Sequence, residues 1–91
     1  MQTTINFIVT GRVQGVFFRA SCKQVADRHG ITGWVRNTPD GRVEGTATAQ
    51  PDALLVLRDW LHNGPEFACV DRLQIQELPL QQFNRFEIRG E

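Results

Sequence analysis

Length, composition and charge limit this chain to a small class of proteins. Its 91 residues are 41% hydrophobic, which predicts one domain over residues 1–91 with a single two-layer core. Ten basic residues balance ten acidic ones, which argues against a nucleic-acid partner, because such binding depends on excess Lys and Arg. The sequence has no apolar run of membrane-spanning length and no signal-peptide pattern. We therefore expect a cytoplasmic protein without a membrane partner, and we also expect a monomer.

The N-terminal third is predicted to form a strand, a loop and a helix. Apolar residues alternate over 5–9 as in a strand with one buried face, and Ile8 on the other face indicates a central strand. After the loop, Gly30 ends a predicted helix. The residues that recur at helical spacing in it are Phe18, Cys22, Val25, Ala26 and His29.

A hairpin and a second helix are predicted next. Residues 31–37 and 42–49 have the pattern of two strands, joined by the tight turn Thr38-Pro39-Asp40-Gly41. Pro51 suits the first position of a helix that ends at Asn63-Gly64-Pro65. Its predicted apolar face consists of Ala53, Leu57, Trp60 and Leu61.

Two further strands complete the predicted fold. They cover about 69–77 and 85–89, and Phe86 and Ile88 are expected to face inward. The resulting βαββαβ order, with amphipathic helices, predicts an α+β ferredoxin-like sandwich. We expect an antiparallel sheet of four to five strands with both helices packed on one face.

The loop before the first helix is the strongest candidate for a binding site. Its glycines free successive backbone N–H groups to point at one place, and the helix N-terminus adds unpaired donors. Arg19 adds a full positive charge, and the N–H groups of its planar guanidinium can bind two phosphate oxygens at once. The predicted phosphate-binding loop is Gly11-Arg12-Val13-Gln14-Gly15-Val16-Phe17-Phe18-Arg19.

Two motifs make the chain resemble the acylphosphatase family. The first family signature is an aliphatic residue, any residue, Gly, any residue, Val-Gln-Gly-Val, any residue, Phe or Met, and Arg. Residues 9–19 meet it at every fixed position. The second signature is met by Gly33-Trp34-Val35-Arg36-Asn37, then Gly41 and Val43. The chain departs from it at Ala49, where the family has a further glycine.

The resemblance implies a hydrolase that acts without a metal or other cofactor. Its substrate would be a small acyl phosphate, cleaved to a carboxylate and inorganic phosphate. By the same resemblance, Arg19 and the loop amides bind the phosphate, and Asn37 positions the attacking water. Thr38 is a further candidate for lining the site.

Other interpretations of the same residues lead to different functions. A non-catalytic acylphosphatase-like phosphate-binding module would retain Arg19 and Asn37 as well, although a 91-residue chain that starts at Met1 favours an independent enzyme. Cys22 and Arg28 have the spacing of a tyrosine phosphatase loop, but the residues between them contain no glycine and continue a helix. Cys22 and Cys69 are expected to be reduced and partly buried, with a bridge left open.

The remaining aromatic and basic residues near the motifs have structural interpretations. Phe17, Phe18 and Trp34 are interpreted as packing residues. Arg12 and Arg36 are expected to be exposed, where their charge would draw an anionic substrate inward.

Overall fold

The computed structural model describes residues 1–90 and has the predicted α+β architecture. Every element except β1 has bounds within two residues of those predicted, β1 continues three residues past residue 9, and the short fifth strand is present. The elements in chain order are β1 (Thr3–Arg12), α1 (Phe18–Arg28), β2 (Thr32–Asn37), β3 (Val43–Ala49), α2 (Pro51–Asn63), β4 (Cys69–Leu78) and β5 (Phe86–Arg89).

The five strands form one sheet in the order β4-β1-β3-β2-β5. The expected antiparallel pairing holds for three neighbouring pairs, but β2 and β5 are parallel, so the sheet is mixed. The cause is the connection 79–85, which carries the chain from one edge of the sheet to the other. Four strand spacings amount to about 19 Å, which seven extended residues can span.

Two threonine hydroxyls hold this connection against the sheet. Thr4 and Thr48 are buried and share a hydrogen bond of 2.6 Å across the β1–β3 pair. The Thr48 hydroxyl lies 2.9 Å from the carbonyl oxygen of Gln81, and the Gln81 N–H donates to the Thr4 hydroxyl at 2.9 Å. Because Thr4 alternates with the inward-facing Ile5, the connection crosses the face opposite the core.

The hydrophobic core lies between the other sheet face and the two helices. Alternate residues of β1 contribute Ile5, Phe7 and Val9, as predicted. The helices contribute residues at helical spacing, namely Phe18, Cys22 and Ala26 from α1 and Leu54, Leu57 and Leu61 from α2. Phe86 is buried as expected, but Ile88 is 42% exposed because it lies near the end of the sheet.

The directions of the strands bring several chain segments to one end of the sheet, where β1 and β2 end and β3 begins. Since β1 and β3 are antiparallel, the end of β1 lies beside the start of β3, with Val9 paired to Val43. Val43 also pairs with Asn37, the last residue of β2. At this end of the sheet, the loop after β1 and the N-terminus of α1 therefore meet the β2–β3 turn.

Gly45 makes the tight packing of the central strands possible. A Cβ atom at this position would lie 2.2 Å from Cζ of the fully buried Phe7 and 2.7 Å from the carbonyl oxygen of Trp34.

We expect Gly45→Ala to lower the free energy of unfolding by about 2 kcal/mol, the scale of overpacking a core. Chemical denaturation measures this. Gly90→Ala, which adds a Cβ in open space, should change it by less than about 0.5 kcal/mol, and equal effects would contradict the packing argument.

The two cysteines are free and differ in environment. Burial raises the pKa of the Cys22 thiol to about 12. Cys69 was expected to be partly buried, but it is exposed on β4.

Iodoacetamide reacts with thiolates, so at pH 8 it should modify Cys69 alone in the folded chain and both cysteines after unfolding. Mass spectrometry of the digest distinguishes the two sites. Comparable labelling of Cys22 in the folded chain would contradict its burial.

Candidate functional site

Gly11 allows the predicted phosphate-binding loop to leave the sheet beside β4. Its φ is 135°, and a Cβ there would lie 2.1 Å from the carbonyl oxygen of Cys69. The pairing of β1 with β4 shifts register between Thr10 and Gly11, which marks a β-bulge. A glycine is therefore required for the close approach of the two backbones, and Gly15 provides a second positive φ, 75°, further along the loop.

Phe17 holds the loop in an unfavourable backbone conformation just before α1. Its φ of 64° and ψ of 27° are left-handed, and among non-glycine residues 1–90 it alone has a positive φ. Such a conformation costs about 1–3 kcal/mol and is typical of functional sites. Its side chain is 78% exposed, so the interpretation of Phe17 as a packing residue is wrong. Phe18 does pack, buried against Trp60 with ring centroids 5.1 Å apart.

The N-terminus of α1 is open to an anion. Phe17 is the N-cap residue, but no side chain caps the helix by a hydrogen bond, and the first turn carries no acidic residue. The unpaired N–H groups and the helix dipole favour negative charge at this end. Val13, at the other side of the loop, is buried and anchors the loop in the core.

Arg19 lies in the first turn of α1 and faces a pocket of about 340 Å³. Within residues 1–90, no carboxylate forms an ion pair with it. Arg36 differs, because its guanidinium pairs with Glu44 at 2.8 Å. The alternation of β2 places Arg36 on the opposite face from the core residue Val35, so it is unsuited to draw a ligand to the loop. Arg12 is exposed, as expected.

The Gln14 side chain fastens the loop to the β2–β3 turn. Its Nε2 donates to the carbonyl oxygens of Thr38 and Arg42, each at 2.9 Å. Both amide hydrogens are thus used, on residues 24 and 28 positions away in the chain. The sequence identified Gln14 as part of the loop, but not this contact, because nothing local to residue 14 indicates where the turn lies.

Thr38 stabilises the turn that Gln14 contacts. Its backbone N–H donates to the Arg42 carbonyl at 2.8 Å, and its hydroxyl accepts from the Arg42 N–H at 3.0 Å. The hydroxyl also donates a hydrogen bond to the Asp40 carboxylate. This bond, and after it the nearby positive charge of Arg42, lowers the pKa of Asp40. The Thr38 side chain is therefore engaged within the turn. Neither Thr38 nor Asn37 is among the residues that line the pocket beside Arg19.

Asn37 presents an unsatisfied polar atom on the core side of the sheet. It lies two residues after the buried Val35, so it shares the face that α1 covers. Its Oδ1 is buried and has no hydrogen-bond partner among residues 1–90. Leaving a buried acceptor unpaired costs about 1–3 kcal/mol, and such groups in native proteins call for a functional explanation.

The tyrosine phosphatase spacing of Cys22 and Arg28 does not form a site. Cys22 is buried in the middle of α1, where its raised thiol pKa makes it an unsuitable nucleophile. Within residues 1–90, no group of three or more His, Cys, Asp or Glu side chains is arranged to hold a metal ion. None of the helices in that range has the length and apolarity to cross a bilayer.

Comparison with known proteins identifies the family. Residues 5–88 match the family model described as acylphosphatase. An acylphosphatase of Marinobacter nauticus is 53% identical over 87 residues, covering 91% of this chain and 95% of the relative. A solved acylphosphatase structure from Coxiella burnetii superposes with a TM-score of 0.94 at 38% identity, covering 97% of this chain and 93% of that one. An acylphosphatase structure from Bacillus subtilis gives 0.92 at 38% identity, with coverages of 98% and 99%. The chain belongs to the acylphosphatase family.

Proposed function

We propose that this chain hydrolyses the carboxyl–phosphate bond of acyl phosphates by direct attack of water on phosphorus. The family establishes the acyl phosphate substrate and the phosphate product. In the proposed step, the water oxygen forms a bond to phosphorus as the bond from phosphorus to the acyl oxygen breaks. The products are a carboxylate and inorganic phosphate, and one water proton is released. The observation that carries the proposal is an arginine without an ion-pair partner among residues 1–90, at a helix N-terminus that has no side-chain cap.

Arg19 and the backbone amides of residues 11–19 are proposed to hold the phosphate. A guanidinium without an ion-pair partner among residues 1–90 can direct two parallel N–H groups at phosphate oxygens. In phosphoryl transfer the charge is spread over the peripheral oxygens, so fixed donors around them can supply most of the catalysis. Because the loop is held by Gln14 and the Gly11 bulge, these donors are positioned before the substrate binds.

Asn37 is proposed to orient the attacking water. Its buried, unpaired Oδ1 can accept a hydrogen bond from one water O–H and thereby point the water lone pair toward phosphorus. An amide is no base near neutral pH, so the released proton is proposed to pass to a phosphate oxygen of the substrate. A pH–rate profile showing an essential enzyme base with a pKa near neutrality would contradict this step. The carboxylate leaving group needs no strong general acid.

We also propose that the enzyme acts as a cytoplasmic monomer, with no nucleic-acid, membrane, metal or cofactor partner. The balanced charge supports this, because broad nucleic-acid binding requires excess positive charge. All proposed site residues come from one chain, since β1, α1 and β2 supply them. Light scattering should therefore measure 10.3 kDa at assay concentrations. A larger mass that is required for activity would contradict the monomer.

Substitution of the two proposed catalytic residues tests the mechanism. We expect Arg19→Ala and Asn37→Ala each to lower kcat/KM for benzoyl phosphate by about two to three orders of magnitude, the scale for removing a preorganised donor. Arg19→Ala should also weaken competitive inhibition by inorganic phosphate, whereas Asn37→Ala should leave it nearly unchanged. Steady-state kinetics in the presence of a chelator measure both quantities.

Arg28→Ala is the matched control, because Arg28 is an exposed arginine at the other end of the same helix. It should retain turnover within about twofold, as expected for a surface substitution. Native turnover no faster than that of Arg19→Ala and Asn37→Ala would favour the phosphate-binding module over the enzyme. Loss of activity in chelator would contradict metal independence.

The contact between the loop and the turn gives a further prediction. Gln14→Glu replaces the donating NH₂ by a carboxylate oxygen, which is repelled by the carbonyls of Thr38 and Arg42. We expect the free energy of unfolding to fall by about 2 kcal/mol and kcat/KM to fall at least tenfold. The exposed Gln24→Glu is the control and should change neither measurably. Native stability and kinetics of Gln14→Glu would show that the contact is dispensable.

A further inference from the structure

The pocket beside Arg19 has an apolar wall that phosphate binding does not use. Phe17 and Ile88 both line this pocket, although they come from opposite ends of the chain. They are 78% and 42% exposed, in a region where the surrounding core residues are almost fully buried. Exposed large apolar side chains that converge on a concave surface are typical of ligand sites.

The two residues of this wall belong to elements that contact each other. Phe17 has a left-handed backbone conformation at the start of α1. Ile88 lies on β5 two residues beyond the buried Phe86, whose carbonyl oxygen accepts a hydrogen bond from Lys23 Nζ at 3.1 Å. That contact joins α1 to β5, so the wall is formed by two elements that are tied to each other. Neither side chain can hydrogen-bond a phosphate oxygen.

We propose that Phe17 and Ile88 form the subsite for the acyl group and select substrates with an apolar acyl chain or ring. The inference rests on the proposed function, because it requires Arg19 to hold the phosphate. The acyl carbon is joined to the phosphate through one oxygen atom, so a phosphate held at Arg19 leaves the acyl group next to this wall. A pocket of about 340 Å³ is at the small end of ligand sites, which favours a short acyl chain or a single ring.

The ratio of kcat/KM for benzoyl phosphate to that for acetyl phosphate tests the subsite, because both substrates share the phosphate and differ in apolar area. We expect Ile88→Ala to lower this ratio about tenfold, the scale of removing several contacting carbons. Turnover of acetyl phosphate and inhibition by inorganic phosphate should stay within about twofold. A second variant, Phe17→Ala, should lower the ratio to a similar extent.

Leu80→Ala is the matched control, since Leu80 is also an apolar residue, 54% exposed, but lies in the connection 79–85 away from the loop. The ratio of kcat/KM for benzoyl phosphate to that for acetyl phosphate should be the same in Leu80→Ala as in the native chain. An unchanged ratio in both Ile88→Ala and Phe17→Ala, with native hydrolysis intact, would overturn the acyl subsite and leave the proposed function standing. Failure of the native chain to hydrolyse either substrate would instead overturn the proposed function.

Discussion

The antiparallel pairing of β1 with β3 is the constraint on which the site depends. It places the end of β1 next to the start of β3, and Val43 pairs with both Val9 and Asn37. Val9 and Asn37 are thus about two strand spacings apart, roughly 10 Å, at one edge of the sheet. Because Gly45 has no side chain, the Phe7 ring can pack directly against the backbone of β3 in the core. Loop, helix N-terminus and turn meet because β1 and β2 both end where β3 begins.

The charges around the proposed site distinguish Arg19 from two nearby arginines. Arg36 is neutralised by Glu44 on the far face of the sheet, and Arg42 pairs with Asp40 within the turn. No ion pair within residues 1–90 neutralises Arg19, which stands beside uncapped backbone donors. A chain with balanced charge can therefore concentrate positive potential at one small pocket, which suits a compact anion better than an extended polyanion.

Expectations from the sequence fail where a residue's environment is set by distant parts of the chain. Periodicity places Ile88 on the inward face, but it is 42% exposed because it lies near the end of the edge strand β5. An aromatic residue is usually buried, yet the left-handed backbone at Phe17 turns this one outward. The parallel pairing of β5 follows from a connection that crosses the sheet, and residues 86–89 carry no local signal of their partner.

By itself, the sequence determined the positions of the helices and strands, the α+β class and the candidate residues Arg19 and Asn37, because periodicity, glycine positions and the two motifs are local patterns. The tertiary structure alone decided that Gln14 joins the loop to the turn, that Arg36 is neutralised and that Phe17 and Ile88 share one pocket. Each of these relations joins residues at least eight positions apart in the chain. Such contacts depend on strand order and helix packing, which no local pattern of side chains encodes.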